Sequence, residues 1–196
     1  MRRCPLQLLV LALGVVACRA YSGGAPAVAC GDMTPGHGVP AQSSTLPYRV
    51  VVSDVAIAPG DRVTVTISRE HQMPFKGFFV QARRASGTDS LPALGSFTAV
   101  PEYKLTSCGE YSDNGISHRD SADKHSVSVE WVAPADLAED VVFRVTLVQS
   151  RTIFWVGHDS ARLRLKRDDD GSSQPGGDEP PQPGGDEPPQ PGGEGR

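Results

Sequence analysis

SVSVEWVAP, residues 126–134, alternates without a fault: Val127, Val129 and Trp131 fall on one side of an extended chain, and Ser126, Ser128 and Glu130 on the other. This is the pattern of a half-buried β-strand. A tryptophan on the apolar side needs a thick, dry surface opposite, so a second sheet must lie across it. Working outward, 62–68 repeats the pattern, with Val63, Val65 and Ile67 inward and Thr64 and Thr66 outward, and Pro59-Gly60 supplies a turn before it. Further strands are expected over 48–53, 95–100, 141–149, 152–156 and 161–166. The segment 75–83 carries Phe75, Phe78, Phe79 and Val80 on both parities, as a central strand covered on both faces does, and Gly77 within it marks a bulge or a close backbone approach. The segment 109–124 reads as a polar loop, and 134–139 as at most one helical turn. Seven to nine short strands without a helical period predict an all-β, antiparallel β-sandwich.

The ends of the chain differ from this body. Arg2 and Arg3, the apolar run 6–17 and Cys18-Arg19-Ala20 read as a signal peptide over 1–20, so the mature chain is expected to begin at Tyr21 and to be secreted. The apolar run is short for a membrane span, no later segment approaches twenty apolar residues, and no membrane anchor is expected. Removal of 1–20 leaves Cys30 and Cys108, which in an oxidising compartment most simply form one disulfide, the alternative being two buried thiols. From residue 168 onward QPGGDEPP occurs at Gln174 and Gln182 and starts again at Gln190. A repeat with no apolar residue buries nothing, so 168–196 is expected to be a disordered, acidic Pro/Gly-rich tail.

Charge follows the same division. The body 21–167 has 15 basic and 15 acidic residues, whereas 168–196 has eight acids and one arginine. A neutral body argues against nucleic acid as a partner.

Several short motifs in order, YSGGAP at 21–26, CGDMTPGHG at 30–38, FKGF at 75–78, GSF at 95–97, ISH at 116–118 and WVAP at 131–134, resemble the reelin (reeler) domain family over about residues 21–166. The resemblance implies an immunoglobulin-like β-sandwich of secreted or cell-surface proteins, with a disulfide matching Cys30 to Cys108. Some members carry a further cysteine pair that is missing here. Ferric-chelate-reductase-like relatives add a haem-bearing membrane portion, in whose place this sequence has the acidic tail, so reductase activity is not expected. Short secreted members with a single such domain resemble invertebrate proteins of humoral antibacterial defence. F-spondin-like matrix members suggest adhesion or glycan binding instead.

No catalytic constellation accompanies the sandwich. The sequence lacks a G-x-S-x-G elbow and a phosphate-binding glycine loop, and Glu139-Asp140 would face opposite ways on a strand. It reads as a non-enzyme without a cofactor, whose partner is a microbial surface or an extracellular glycan or protein. A Cys30–Cys108 bond would bring His37 near His118, so a cluster of these two with Asp123 or His125 is a conceivable metal site, against the ordinary use of loop histidines as hydrogen-bond partners. Arg162, Arg164 and Lys166 alternate, and on a strand they would form a basic stripe fit for sulfated glycans or an anionic bacterial surface; the plainer reading is a charged edge strand. Arg164-Leu165-Lys166-Arg167 also resembles a furin-type processing site, whose cleavage would release the tail. The single asparagine, Asn114, precedes Gly115 and Ile116, so N-glycosylation has no sequon.

Overall fold

The computed structural model describes residues 21–70, 72–87 and 93–167; the expected signal peptide and tail lie outside the described residues. Eleven strands are present among them: β1 Tyr48–Val52, β2 Ala56–Ile57, β3 Arg62–Arg69, β4 Gly77–Arg84, β5 Ser96–Phe97, β6 Tyr103–Cys108, β7 Tyr111–His118, β8 Ser126–Val132, β9 Val141–Ser150, β10 Ile153–Asp159 and β11 Arg164–Leu165. Nine of them form a four-stranded sheet in the order β1-β3-β8-β5 and a five-stranded sheet in the order β10-β9-β4-β7-β6, both antiparallel, and β11 and β2 make a two-stranded parallel pair. The expected antiparallel sandwich is what the chain builds.

The quoted stretch sits where its pattern demands. Val127, Val129 and Trp131 of β8 pair in register with Ile67, Val65 and Val63 of β3, and all six point into the core between the sheets. The five-stranded sheet answers with Phe78, Val80 and Ala82 of β4, Ile116 of β7 and Phe143, Val145 and Leu147 of β9. Trp131 is wholly buried, meets Phe143 edge to face at 5.3 Å between centroids, and gives its indole N–H to the Leu94 carbonyl at 2.9 Å. Its polar atom is therefore satisfied within an apolar site, the condition under which a buried indole stabilises rather than strains a core. Gly95 beside it has φ +58°, and a Cβ there would lie 2.3 Å from the Val132 carbonyl oxygen.

Some boundaries differ from those expected. The segment read as a polar loop holds β7, preceded by a second unforeseen strand, β6. Only Ile116 of β7 enters the main core; Asn114 is buried by hydrogen bonds to Cys108 and Ala93, and Ser117, on the opposite face from Ile116, by one from Ala25, so no apolar alternation advertises the strand. The last expected strand shortens to β11, which pairs in parallel with β2, while Leu163 and Val141 exchange hydrogen bonds on its other side. Residues 134–139 make a turn closed by Leu137 N–H to the Pro134 carbonyl, and a four-residue 3-10 turn, Ala27–Cys30, lies instead in the lead-in.

Candidate functional site

The outer face of the five-stranded sheet is also buried. Phe79, Gln81 and Arg83 of β4 point away from the sandwich core and are covered by the lead-in segment 21–38. A sheet with polar side chains on one face is stable only if water or protein satisfies them, and here the backbone of the cover does so. The Arg83 guanidinium, 4% exposed, donates to the carbonyls of Cys30 and Gly31 and to Gln81 Oε1. Gln81 in turn gives its amide to Cys108 Sγ at 2.9 Å. Ser117 Oγ accepts from Ala25 N–H, Thr106 donates to the Ala25 carbonyl, and Thr146 donates to the Met33 carbonyl. The disulfide Cys30–Cys108 fastens the cover to β6, and Met33, Ala25, Phe79 and Cys108 form a small second core beneath it.

Between the cover and the sheet a cavity of about 170 Å³ remains. Met33, Phe79 and Val148 supply its apolar surface, and His37, His118, Lys76 and Arg151 its basic groups. The disulfide thus brings His37 and His118 to one place, as the sequence suggests. His118 is a latch: Nδ1 lies 3.1 Å from both the backbone nitrogen and the carbonyl oxygen of Phe78, and Nε2 faces the Tyr21 carbonyl at 3.2 Å. Gly77 lies against this ring, a Cβ there falling 3.0 Å from Cε1, which is the close approach its position in the strand implies. His37 packs edge to face on Phe154 at 5.1 Å. Burial holds the His37 imidazole below its ordinary value of 6.5; Arg151 and His118 push the same way, against a hydrogen bond to the Arg151 backbone.

The remaining members of the conceivable metal cluster stand elsewhere. Asp123 pairs with Lys76 at 3.6 Å, and neither Asp123 nor His125 lines the cavity. Among the described residues no group of three or more His, Cys, Asp or Glu side chains is placed to hold a metal ion.

Arg162, Arg164 and Lys166 are exposed, with Leu163 between them buried and Leu165 half-buried, so the alternation is real. Two of the three cations already face carboxylates: Arg162 lies 3.1 Å from Asp140, and Lys166 lies 3.1 Å from Asp61. The Ala58 N–H and then Lys166 hold the Asp61 carboxyl below the usual carboxylate range. The segment is not an open edge, because β2 and Val141 flank it on its two sides. Its backbone is engaged as well: Arg164 N–H goes to the Val55 carbonyl, Leu165 N–H to Asp140 Oδ1 and Lys166 N–H to the Ile57 carbonyl.

A second depression, of about 340 Å³, lies beside Leu94, Tyr111 and Leu137, where Arg84 and Glu139 neutralise each other at 3.1 Å. Neither this depression nor the buried Gln81–Arg83 pair is visible to sequence reasoning, since alternating polar residues on a strand ordinarily signal solvent.

Comparison with known proteins follows the fold. The family model described as "Reeler domain" matches residues 28–170. A protein of Samia ricini named "Putative defense protein Hdd11-like" is 35% identical over 153 residues, which cover 74% of this chain and 88% of that protein. "Ferric-chelate reductase 1" of Mus musculus is also 35% identical over 153 residues, but these cover 77% of this chain and 25% of the reductase. The chain thus spans about a quarter of the reductase. The crystal structure of the human F-spondin reeler domain superposes with a TM-score of 0.54 at 18% identity, covering 65% of this chain and 94% of that domain. At that identity the likeness speaks for the fold. Among the described residues no helix is long and apolar enough to cross a membrane.

Proposed function

The chain belongs to the Reeler domain family, and from that premise we propose that it is a secreted, non-catalytic binding protein of antibacterial humoral defence, with a microbial surface as its partner. The observation that carries the reading is the extent of the match. Chain and insect defence protein coincide over nearly the whole of the latter, whereas three quarters of the reductase lies outside the shared module. Physical chemistry supports the same direction. The described residues offer loops on a sandwich stapled by one disulfide, an arrangement suited to presenting surface shape to a partner.

Purified secreted protein incubated with Gram-positive and Gram-negative cells tests it. Saturable co-sedimentation or agglutination is expected, competed by soluble cell-wall material. Failure to sediment, together with salt-sensitive retention on heparin lost on charge reversal at Arg162, Arg164 and Lys166, would move the reading to matrix adhesion. Reduction of a ferric chelate by the purified protein would contradict its non-catalytic part.

A further inference from the structure

We infer that the cavity under the cover is a binding site for a small amphiphilic carboxylate, whose apolar body of about one aromatic ring lies inside and whose anionic head sits at the mouth between Arg151 and Lys76. Size is the first ground. The volume, about 170 Å³, is close to that of an engineered apolar cavity of about 150 Å³ that takes up benzene. Met33 and Phe79, both buried, present a polarisable thioether and a ring to whatever enters, surfaces that suit a flat or short-chain hydrocarbon.

Charge is the second ground. Lys76, Arg151, His37 and His118 all line the cavity, and among the described residues no carboxylate does. The field of this arrangement is already felt within it, since Arg151 and His118 both disfavour a proton on His37. His118 is not the head-group donor. Both ring nitrogens of His118 are committed to β4 and to Tyr21, and the His37 ring is tied to the Arg151 backbone. Arg151 and Lys76, both exposed, remain for the head group at the mouth. Lys76 faces Asp123 at 3.6 Å, with both side chains more than half exposed. Such a pair is weakly held in water, and an entering carboxylate can take its place. A cationic ligand would meet the same two charges as repulsion, and a neutral one would gain only the contacts of its body. The inference is independent of the defence reading, since it concerns a cavity rather than the cell-facing surface.

Titration of benzoate and of hexanoate into the full secreted chain, followed by NMR at the Met33 methyl and the His37 ring, tests the site, with benzylamine, benzyl alcohol and acetate as controls. Benzoate and hexanoate are expected to shift both signals saturably, benzyl alcohol more weakly, and acetate and benzylamine not at all. Arg151→Glu is expected to weaken benzoate at least about tenfold while leaving benzyl alcohol unchanged, the loss of one charge-assisted hydrogen bond. Val148→Phe, which fills the body site, is expected to abolish both. Should Arg151→Glu fail to fold, Lys76→Glu at the exposed rim serves in its place. Benzylamine binding as well as benzoate, acetate binding as well as benzoate, or benzoate leaving Met33 unshifted would each overturn the assignment.

Discussion

Replacing both Cys30 and Cys108 by alanine is the perturbation whose size the structure fixes most closely. The bond spans 78 positions of sequence. Closing a loop of that length removes about 15 cal/mol/K of chain entropy from the unfolded state, or about 4.5 kcal/mol at 25 °C. Whether that full amount is lost depends on whether the cover stays seated without the bond. Holding it are Arg83 on the carbonyls of Cys30 and Gly31, His118 on Tyr21, Ser117 and Thr106 on Ala25, and Thr146 on Met33. At about 1 kcal/mol net for each such bond, with about 2 kcal/mol for burying the Met33 side chain, these contacts are enough to keep it in place. The double variant is therefore expected to keep the native fold and to lose about 4 to 5 kcal/mol in urea denaturation, with an m-value no lower than the parent's, since the uncrosslinked unfolded chain is less compact. For a domain of this size the loss corresponds to a fall in Tm of about 10 to 18 °C. A loss below about 1 kcal/mol, or an m-value that drops with it, would refute the reasoning.

Other consequences follow from single positions. Gly95→Ala places a Cβ against the Val132 carbonyl and the Trp131 ring at a positive φ and is expected to cost about 2 to 4 kcal/mol; a chemical-denaturation midpoint within error of the parent would contradict the packing described around Trp131. The His37 imidazole is held below 6.5 in the folded state, so its contribution to stability is complete above that value and is lost as pH falls through the lowered one. Between about pH 7.5 and pH 5 the parent should lose more stability than His37→Gln, and the opposite order in a thermal-shift series would show the sign to be wrong. Asp140 holds both the Arg162 side chain and the Leu165 N–H. Asp140→Ala is thus expected to loosen β11 and to speed furin-type cleavage after Arg167 about tenfold, read by intact mass over time; equal rates in parent and variant would show that β11 does not shield the motif.

How much of this was legible in the sequence depends on which face of a strand meets the main core. β3, β8 and β9 are visible because their inward residues are apolar and their neighbours are not, and Phe79 beside Phe78 announces that β4 is covered twice. The nature of the second covering is not visible. Gln81, Arg83, Asn114 and Ser117 are polar and buried: Arg83 and Ser117 are satisfied by the backbone of a Gly- and Pro-rich lead-in that carries no periodic signal of its own, Gln81 by Cys108 and Arg83, and Asn114 by the backbone of Cys108 and Ala93. The same concealment turned β7 into an expected loop. The juxtaposition of His37 and His118 could be anticipated because both follow the cysteines closely. The departure of Asp123 could not, since it depends on the bridge between Phe75 and Lys124, which sets Asp123 beside Lys76. The basic stripe was legible as a pattern, but its partners Asp61 and Asp140 lie far off in sequence and only the fold brings them near.

The central claim is that the lead-in is packed on the five-stranded sheet as part of the folded core, and two methionines in the same molecule report on it. Met33 is 1% exposed beneath the cover, and Met73 is 44% exposed. Under limiting hydrogen peroxide, peptide mass mapping should find Met73 converted to sulfoxide while Met33 stays intact in the native, disulfide-bonded protein. Oxidation of the two at equal rates under native conditions would mean that the cover is not closed, and the cavity beneath it would fall with that claim.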